Sequence, residues 1–169
     1  MTVLETKRLV LRRLDEGDAP FILELLNDSA WLRFIGDKGV RTQDDARAYI
    51  ANGPVAMYRR VGFGLYLVQI RDGNVPAGLC GLIKRDALED VDIGFAFLPQ
   101  YRVQGYAQEA AAATLVYGRE DLGLVRVVAI TAPDNERSIR LLERLGLECE
   151  KTLRMPGDDH EVRLYATAR

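Results

Sequence analysis

Apolar and polar residues alternate along this chain in two periods, and the switches between them mark out its elements. Leu9-Val10-Leu11, closed by Arg8 and Arg12, reads as a first strand. Asp15-Glu16-Gly17-Asp18 then opens a helix with Asp18 as the expected N-cap, and Phe21, Ile22, Leu25 and Leu26 follow as one apolar face. Thr42-Gln43-Asp44-Asp45 opens a second helix carrying Ala46, Tyr49 and Ile50 on one side. The segment 29–40 between them has no clear period, and 52–62 reads as a loop. Strands are expected at Phe63–Ile70 and, after the turn Arg71-Asp72-Gly73-Asn74, at Val75–Lys84, where Gly78 and Gly81 imply bulges or close backbone approach. Val91, Ile93, Phe95 and Phe97 alternate with Asp92, Gly94, Ala96 and Leu98, a strand whose Asp92 face differs in kind from its aromatic face.

From there helix and strand alternate. Gly105 to about Asp121 carries Ala107, Ala110, Ala111, Thr114, Leu115 and Gly118 at helical spacing, a stripe suited to lying close on a sheet. Val125–Thr131 is expected as a strand buried on both faces. Asn135–Leu145 is a second helix with Ile139, Leu142 and Leu145 inward, stopped by Gly146 and a Schellman contact from Leu147. A hairpin, Leu147–Met155 and His160–Thr167 about Pro156-Gly157-Asp158-Asp159, ends the chain. The order β-α-α-β-β-β-α-β-α-β-β predicts a mixed α/β sheet in a single domain over residues 1–169.

Composition narrows the function classes. At 169 residues roughly 70% of the surface is buried on folding, so neither a metal nor a disulfide is needed to hold the core. A chain that is 48% apolar and 28% charged is neither disordered nor fibrous. The net charge of −2 argues against a general nucleic-acid binder, while leaving room for a local basic site. The charged start, Met1 to Arg8, is no signal peptide and no apolar run approaches a membrane span, so a reducing cytoplasm is the expected location. Cys80 and Cys149 lie far apart and the chain has one histidine, His160; no metal site is expected, both thiols read as core filler and His160 as a solvated hairpin residue.

The sharpest chemical signal is Leu98-Pro99-Gln100-Tyr101-Arg102-Val103-Gln104-Gly105-Tyr106-Ala107, a strand end, a short loop and a helix start. Arg102-x-x-Gly105-x-Ala107 puts a cation and small residues at a helical first turn, whose unpaired N–H groups and positive dipole end favour a phosphate. Neither a dinucleotide fingerprint nor a P-loop is present. The bland alternative is an ordinary strand-to-helix turn with a surface arginine.

That pattern, with Ala132-Pro133-Asp134-Asn135-Glu136-Arg137-Ser138 after the next strand, resembles the GNAT superfamily of N-acetyltransferases. Glu5-Thr6-Lys7-Arg8-Leu9-Val10-Leu11-Arg12, Asp92-Ile93-Gly94-Phe95 and Leu141-Leu142-Glu143-Arg144-Leu145-Gly146-Leu147 resemble its RimJ/RimL-like branch, and the likeness covers essentially the whole chain. The resemblance implies acetyl-CoA as donor and direct transfer to a primary amine, a protein N-terminus or a small molecule, with no acyl-enzyme. It places the pyrophosphate on backbone amides of Arg102, Val103, Gln104, Gly105, Tyr106 and Ala107, with the Arg102 side chain adding charge. It pairs the pantetheine arm with the strand end at Phe97 and Leu98, which requires strands 91–98 and 125–131 to splay apart.

By the same resemblance Asn135 meets the pantetheine or an ordered water, and Ser138 lies close to the thiol; read alone, they are a helix N-cap and a first-turn residue. Asp92 falls where an acidic residue often serves as base. The branch more often shows Glu, so the reach is shorter here and a water relay is implied. The alternative for Asp92 is a carboxylate that accepts from backbone or arginine, and Glu89, Asp90 and Glu109 compete for the role. Many members place a Tyr on the helix after Asn135 to protonate the thiolate; this chain has Leu141-Leu142 there, which leaves Ser138 as the nearest donor. Acceptor specificity falls to 29–40, 52–62 and the hairpin. There Trp31, Phe34, Tyr58 and Tyr66 line a pocket or belong to the core, with core preferred for Phe34 and Tyr66. A homodimer through the last strands is compatible with the family. A non-catalytic module that binds or senses acyl-CoA is the alternative function.

Overall fold

The computed structural model describes residues 1–168. Its strands are β1 (Thr2–Glu5), β2 (Leu9–Arg12), β3 (Leu65–Ile70), β4 (Val75–Ile83), β5 (Asp92–Phe97), β6 (Val128–Thr131), β7 (Glu148–Arg154) and β8 (Glu161–Ala166), joined in one sheet of order β1-β2-β3-β4-β5-β6-β8-β7. Neighbours are antiparallel throughout, except that β5 and β6 are parallel. This is the expected mixed α/β architecture. Strand β1 is an addition, since its four residues carry too little apolar pattern to announce it.

Period-two alternation decides which helices cover which face. Leu67, Leu79 and Leu98 point to one face, where α1 (Ala19–Leu26), α2 (Ser29–Phe34) and α3 (Gln43–Ile50) bring Phe21, Ile22, Leu25, Trp31, Ala46 and Ile50 against them. Tyr66, Val68, Cys80, Leu82, Ile93 and Phe97 point to the other, against Ala110 and Ala111 of α5 (Tyr106–Glu120) and Leu142 of α6 (Glu136–Arg144). The small-residue stripe of α5 does bring it close: Thr114 Oγ1 donates to Ala110 O and sits 3.4 Å from Cys80 Sγ. Close approach within the sheet is also as expected. A Cβ at Gly81 would lie 2.1 Å from Gly64 O and one at Gly78 2.4 Å from Ala96 O.

Several local expectations are corrected. Asp18 holds the N-cap position of α1 as expected, but its side chain makes no capping hydrogen bond. Asp15 caps a preceding 3-10 turn, while the Asp18 carboxylate accepts from Asp15 N–H (2.9 Å) and pairs with Arg12 (2.7 Å). The segment 29–40 contains α2. The supposed loop at 52–62 is helical: α3 passes through a π-helical turn at Ala51–Val55 into α4 (Ala56–Val61), and Pro54, lacking an N–H, sits inside the widened turn. Strand β6 starts only at Val128; Val125 is exposed, and Arg126 pairs with Asp90 and Glu150. Cys149 is exposed on β7, an edge strand, instead of filling the core, whereas Cys80 is fully buried and its thiol is pushed up to about 12 by burial. Trp31, Tyr58 and Tyr66 are core residues, but Phe34 is half-buried beneath the Arg33 guanidinium. On α6 the buried pair is Leu141 and Leu142, with Ile139 and Leu145 half-buried. The Schellman stop is present: Leu147 N–H donates to Leu142 O and Gly146 N–H to Glu143 O.

Candidate active site

The parallel strands β5 and β6 share a single residue pair, Asp92 with Val128, where Val128 N–H donates to Val91 O (3.0 Å). Past it the strands hold no common register, so they form a wedge with its apex at Asp92. Leu98 N–H donates to Ala77 O across the β4 side (3.0 Å). A trans peptide directs its C=O opposite to its N–H, so Phe97 O faces the β6 side, at the open end of the wedge. Arg102 Nε donates to that carbonyl (3.1 Å).

Beyond Leu98 a short 3-10 turn, Pro99–Tyr101, leads into Arg102–Gly105 and the first turn of α5. Gly105 is the N-cap residue with φ +82°, and no side chain caps the turn, which leaves its N–H groups for an outside acceptor. Val103 is also left-handed (φ +61°) and 90% exposed, a strained conformation for a β-branched residue. Amides fanned from such a turn at a helix dipole suit a diphosphate. The Arg102 guanidinium, however, is engaged elsewhere: besides Phe97 O it meets Asp28, 2.6 Å away. The cation beside Gly105 is Arg8. Its Nη1 donates to Gln104 O (3.0 Å), its Nε to Glu109 Oε1 (2.7 Å), and its Cζ lies 4.4 Å over the Tyr106 ring. In the sequence Arg8 stood out as a strand boundary and as part of the motif 5–12, with no role at the loop; its partners lie about a hundred positions away, and no local pattern links them.

At the apex Asp92 is 1% exposed, with Arg85 Nε donating to its Oδ1 (3.0 Å). Burial raises its carboxyl above the usual range, and Arg85 and Lys84 pull in the opposite direction. The competing carboxylates have other duties or none. Asp90 pairs with Arg126, and Glu89 is exposed. Burial disfavours ionisation of Glu109, but bonds from Thr6 and Arg8 outweigh it and hold that carboxyl low. On the far lip, Asn135 is the N-cap of α6 and its Oδ1 accepts from Ser138 N–H (3.3 Å), so capping fixes the Asn135 side chain and places Ser138 in the first turn of α6 at the β6 end. His160 lies apart from the wedge, exposed on the hairpin beside Asp158. Helix α2 and its cap reach both lips, Asp28 pairing with half-buried Arg102 on one side and exposed Arg33 meeting exposed Asp134 (3.3 Å) on the other.

Residues 8–148 match the family model described as the acetyltransferase (GNAT) domain. The chain is 31% identical over 147 residues to an uncharacterized N-acetyltransferase, YnaD, of Bacillus subtilis (strain 168), covering 87% of this chain and 83% of that one. Its structure is similar to that of an acetyltransferase of the GNAT family from Bacillus anthracis, with a TM-score of 0.80 at 28% identity over 98% and 97% of the two chains. It shares its fold with RimL, a ribosomal L7/L12 alpha-N-protein acetyltransferase in complex with coenzyme A, at a TM-score of 0.83 and 22% identity over 98% and 97%.

Proposed function

The chain belongs to the GNAT acetyltransferase family and is an acyltransferase enzyme, and on that premise we propose that it passes an acetyl group from acetyl-CoA directly to a primary amine. The observation that carries this reading is the wedge between β5 and β6, closed at Asp92 and opening at the uncapped first turn of α5. Its parts fit the coenzyme. The open β5 edge offers peptide groups to an amide-bearing arm, much as an added strand would, and the loop offers amides, with no Cβ at Gly105, to a diphosphate.

When bound, acetyl-CoA supplies a thioester whose acyl carbon is open to attack by a neutral amine. The chain's own residues do the rest. Amides of residues 103–107 hold the diphosphate, the Arg102 N–H being given to Pro99 O (3.2 Å) in the preceding turn. Phe97 and Leu98 orient the arm, with Asn135 facing it from the α6 cap. Asp92, buried at the apex, takes the amine's proton, directly or through one water; burial that raises its pKa brings a carboxylate closer to the working pH of a general base. Ser138 offers a hydrogen bond to the departing sulfur. A thiol of pKa about 8.5 leaves tolerably near neutrality without a phenol.

The amine sets how much help is needed. An α-amino group of pKa about 7.8 is about a third neutral at pH 7.5, whereas deprotonating a lysine at that pH costs about 4 kcal/mol. A single buried carboxylate suits the first, so we assign a protein or peptide N-terminal α-amine, or a small amine of similar basicity, as acceptor. The cytoplasm is the compartment we assign, in keeping with free and exposed Cys149.

The test is incubation with acetyl-CoA and a panel of small amines and short peptides, read by mass change and release of free thiol. Acetylated α-amines are expected, with lysine side chains far slower. Coenzyme binding without acetylation of any amine would overturn the reading in favour of a sensing module.

A further inference from the structure

A diphosphate loop works only if its peptide planes are turned the right way before the anion arrives. In this loop one peptide plane, Gln104–Gly105, is set from outside. Its carbonyl accepts from Arg8 Nη1 (3.0 Å), so its N–H, which a trans peptide directs oppositely, faces away from Arg8. Arg8 itself is held at three points. Nε donates to Glu109 Oε1 (2.7 Å), its own backbone N–H donates to Glu109 Oε2 (3.0 Å), and its Cζ rests 4.4 Å over the Tyr106 ring. Thr6 Oγ1 donates to the same Glu109 Oε2 (2.5 Å), and the carboxylate is thereby fixed as well. Glu109 and Tyr106 both lie in the first turn of α5, so the turn between β1 and β2 grips the helix that the loop opens. The same guanidinium also lies against Gly105 itself: a Cβ there would lie 3.2 Å from Arg8 Nη2.

The loop's own Arg102 cannot do this, because its guanidinium is spent on Phe97 O and Asp28. On the transferase reading above, we propose that Arg8 is the positioning residue of the coenzyme site. It holds the Gln104 carbonyl back so that the Gly105 amide is presented to the diphosphate, and the Thr6–Glu109 pair holds Arg8. Arg8 acts through the loop and does not contact the reacting atoms.

The test uses the whole chain and coenzyme A as the probe, with calorimetry for affinity and the Gly105 amide resonance for the peptide plane. Arg8→Gln is expected to weaken coenzyme A about tenfold, the loss of a charge-assisted hydrogen bond at the site. At saturating coenzyme its Gly105 amide should shift less than in wild type. Arg8→Lys keeps a cation but has one ammonium where Arg8 uses Nε on Glu109 and Nη1 on Gln104 O, so it is expected to recover affinity only in part, to a value between Arg8→Gln and wild type; it serves if the glutamine variant folds poorly, and affinity equal to wild type would overturn the proposal. Unchanged affinity in Arg8→Gln would overturn the proposal. So would weakened affinity with an unaltered Gly105 shift at saturation, since Arg8 would then merely brace the N-terminal turn. If wild type itself fails to bind coenzyme A, the transferase reading falls together with this one; wild-type binding with an indifferent Arg8 removes only the latter.

Discussion

At Gly105 the backbone is left-handed, and any L side chain there is strained whatever space surrounds it. Gly105→Val adds a branched Cβ next to Arg8 Nη2, and should cost about 1–3 kcal/mol in urea unfolding while leaving a folded, monophasic transition. Asp92 poses the opposite question, of stability retained against function. Its pKa is raised mainly by burial, with Arg85 opposing. A group raised in the folded state supports folding fully below its unfolded pKa and loses that support as pH rises through the folded value. The ionised form of Asp92 is therefore less favourable to the folded state than its protonated form. Asp92→Asn should melt at pH 7 no lower than wild type while kcat falls about a hundredfold. Its rate profile should also lose the acid limb, which in wild type lies above the ordinary carboxylate range. A lower melting temperature with an unchanged profile would make the Asp92–Arg85 pair structural.

At the scale of elements, one close contact lies between β4 and the start of β3, and another joins the cap of α2 to the loop after β5. Gly81 lets β4 pass against the chain at Gly64, and Gly81→Ala drives a methyl into Gly64 O; a loss of about 3 kcal/mol or more is expected from chemical denaturation. Asp28 both caps α2, accepting from Ala30 N–H (3.2 Å), and neutralises half-buried Arg102. Asp28→Ala should cost about 2 kcal/mol, measured the same way, because it removes a cap and strands a partly desolvated cation. These elements were not equally legible in the sequence. The alternation from Val91 to Leu98 showed β5 because each face meets a different core, and Gly146-Leu147 showed the end of α6 because a left-handed stop has a local signature. Helix α2 was not visible, since Trp31 is its one buried residue and leaves no period to read. The start of β6 was overread because Val125 and Val127 flank Arg126 in an apolar run, although Val125 faces solvent and ion pairs at Arg126 fix a loop.

Across the whole molecule, what local pattern could not show is what joins distant segments. The splay of β5 from β6 was expected only through the family likeness; the structure displays it as one residue pair, Asp92 with Val128. The grip of Thr6 and Arg8 on Glu109, and of Asp28 on Arg102, spans 101 to 103 and 74 positions, and charges in such number have too many alternative partners for spacing to choose among them. Those long-range pairs converge on the loop between β5 and α5, so that end of the wedge is braced from the N-terminal turn and from the cap of α2 together. A site assembled in this way is ready before its ligand arrives, and affinity should depend on the loop more than on any closing motion.

Calorimetric titration of coenzyme A into wild type and into Gly105→Val, at one salt concentration, tests this most directly. One molecule should bind per wild-type chain, and the variant, still folded, should bind at least about tenfold more weakly because its amides no longer reach the diphosphate. No heat from wild type, or equal affinity in the two proteins, would contradict a diphosphate seated on the first turn of α5.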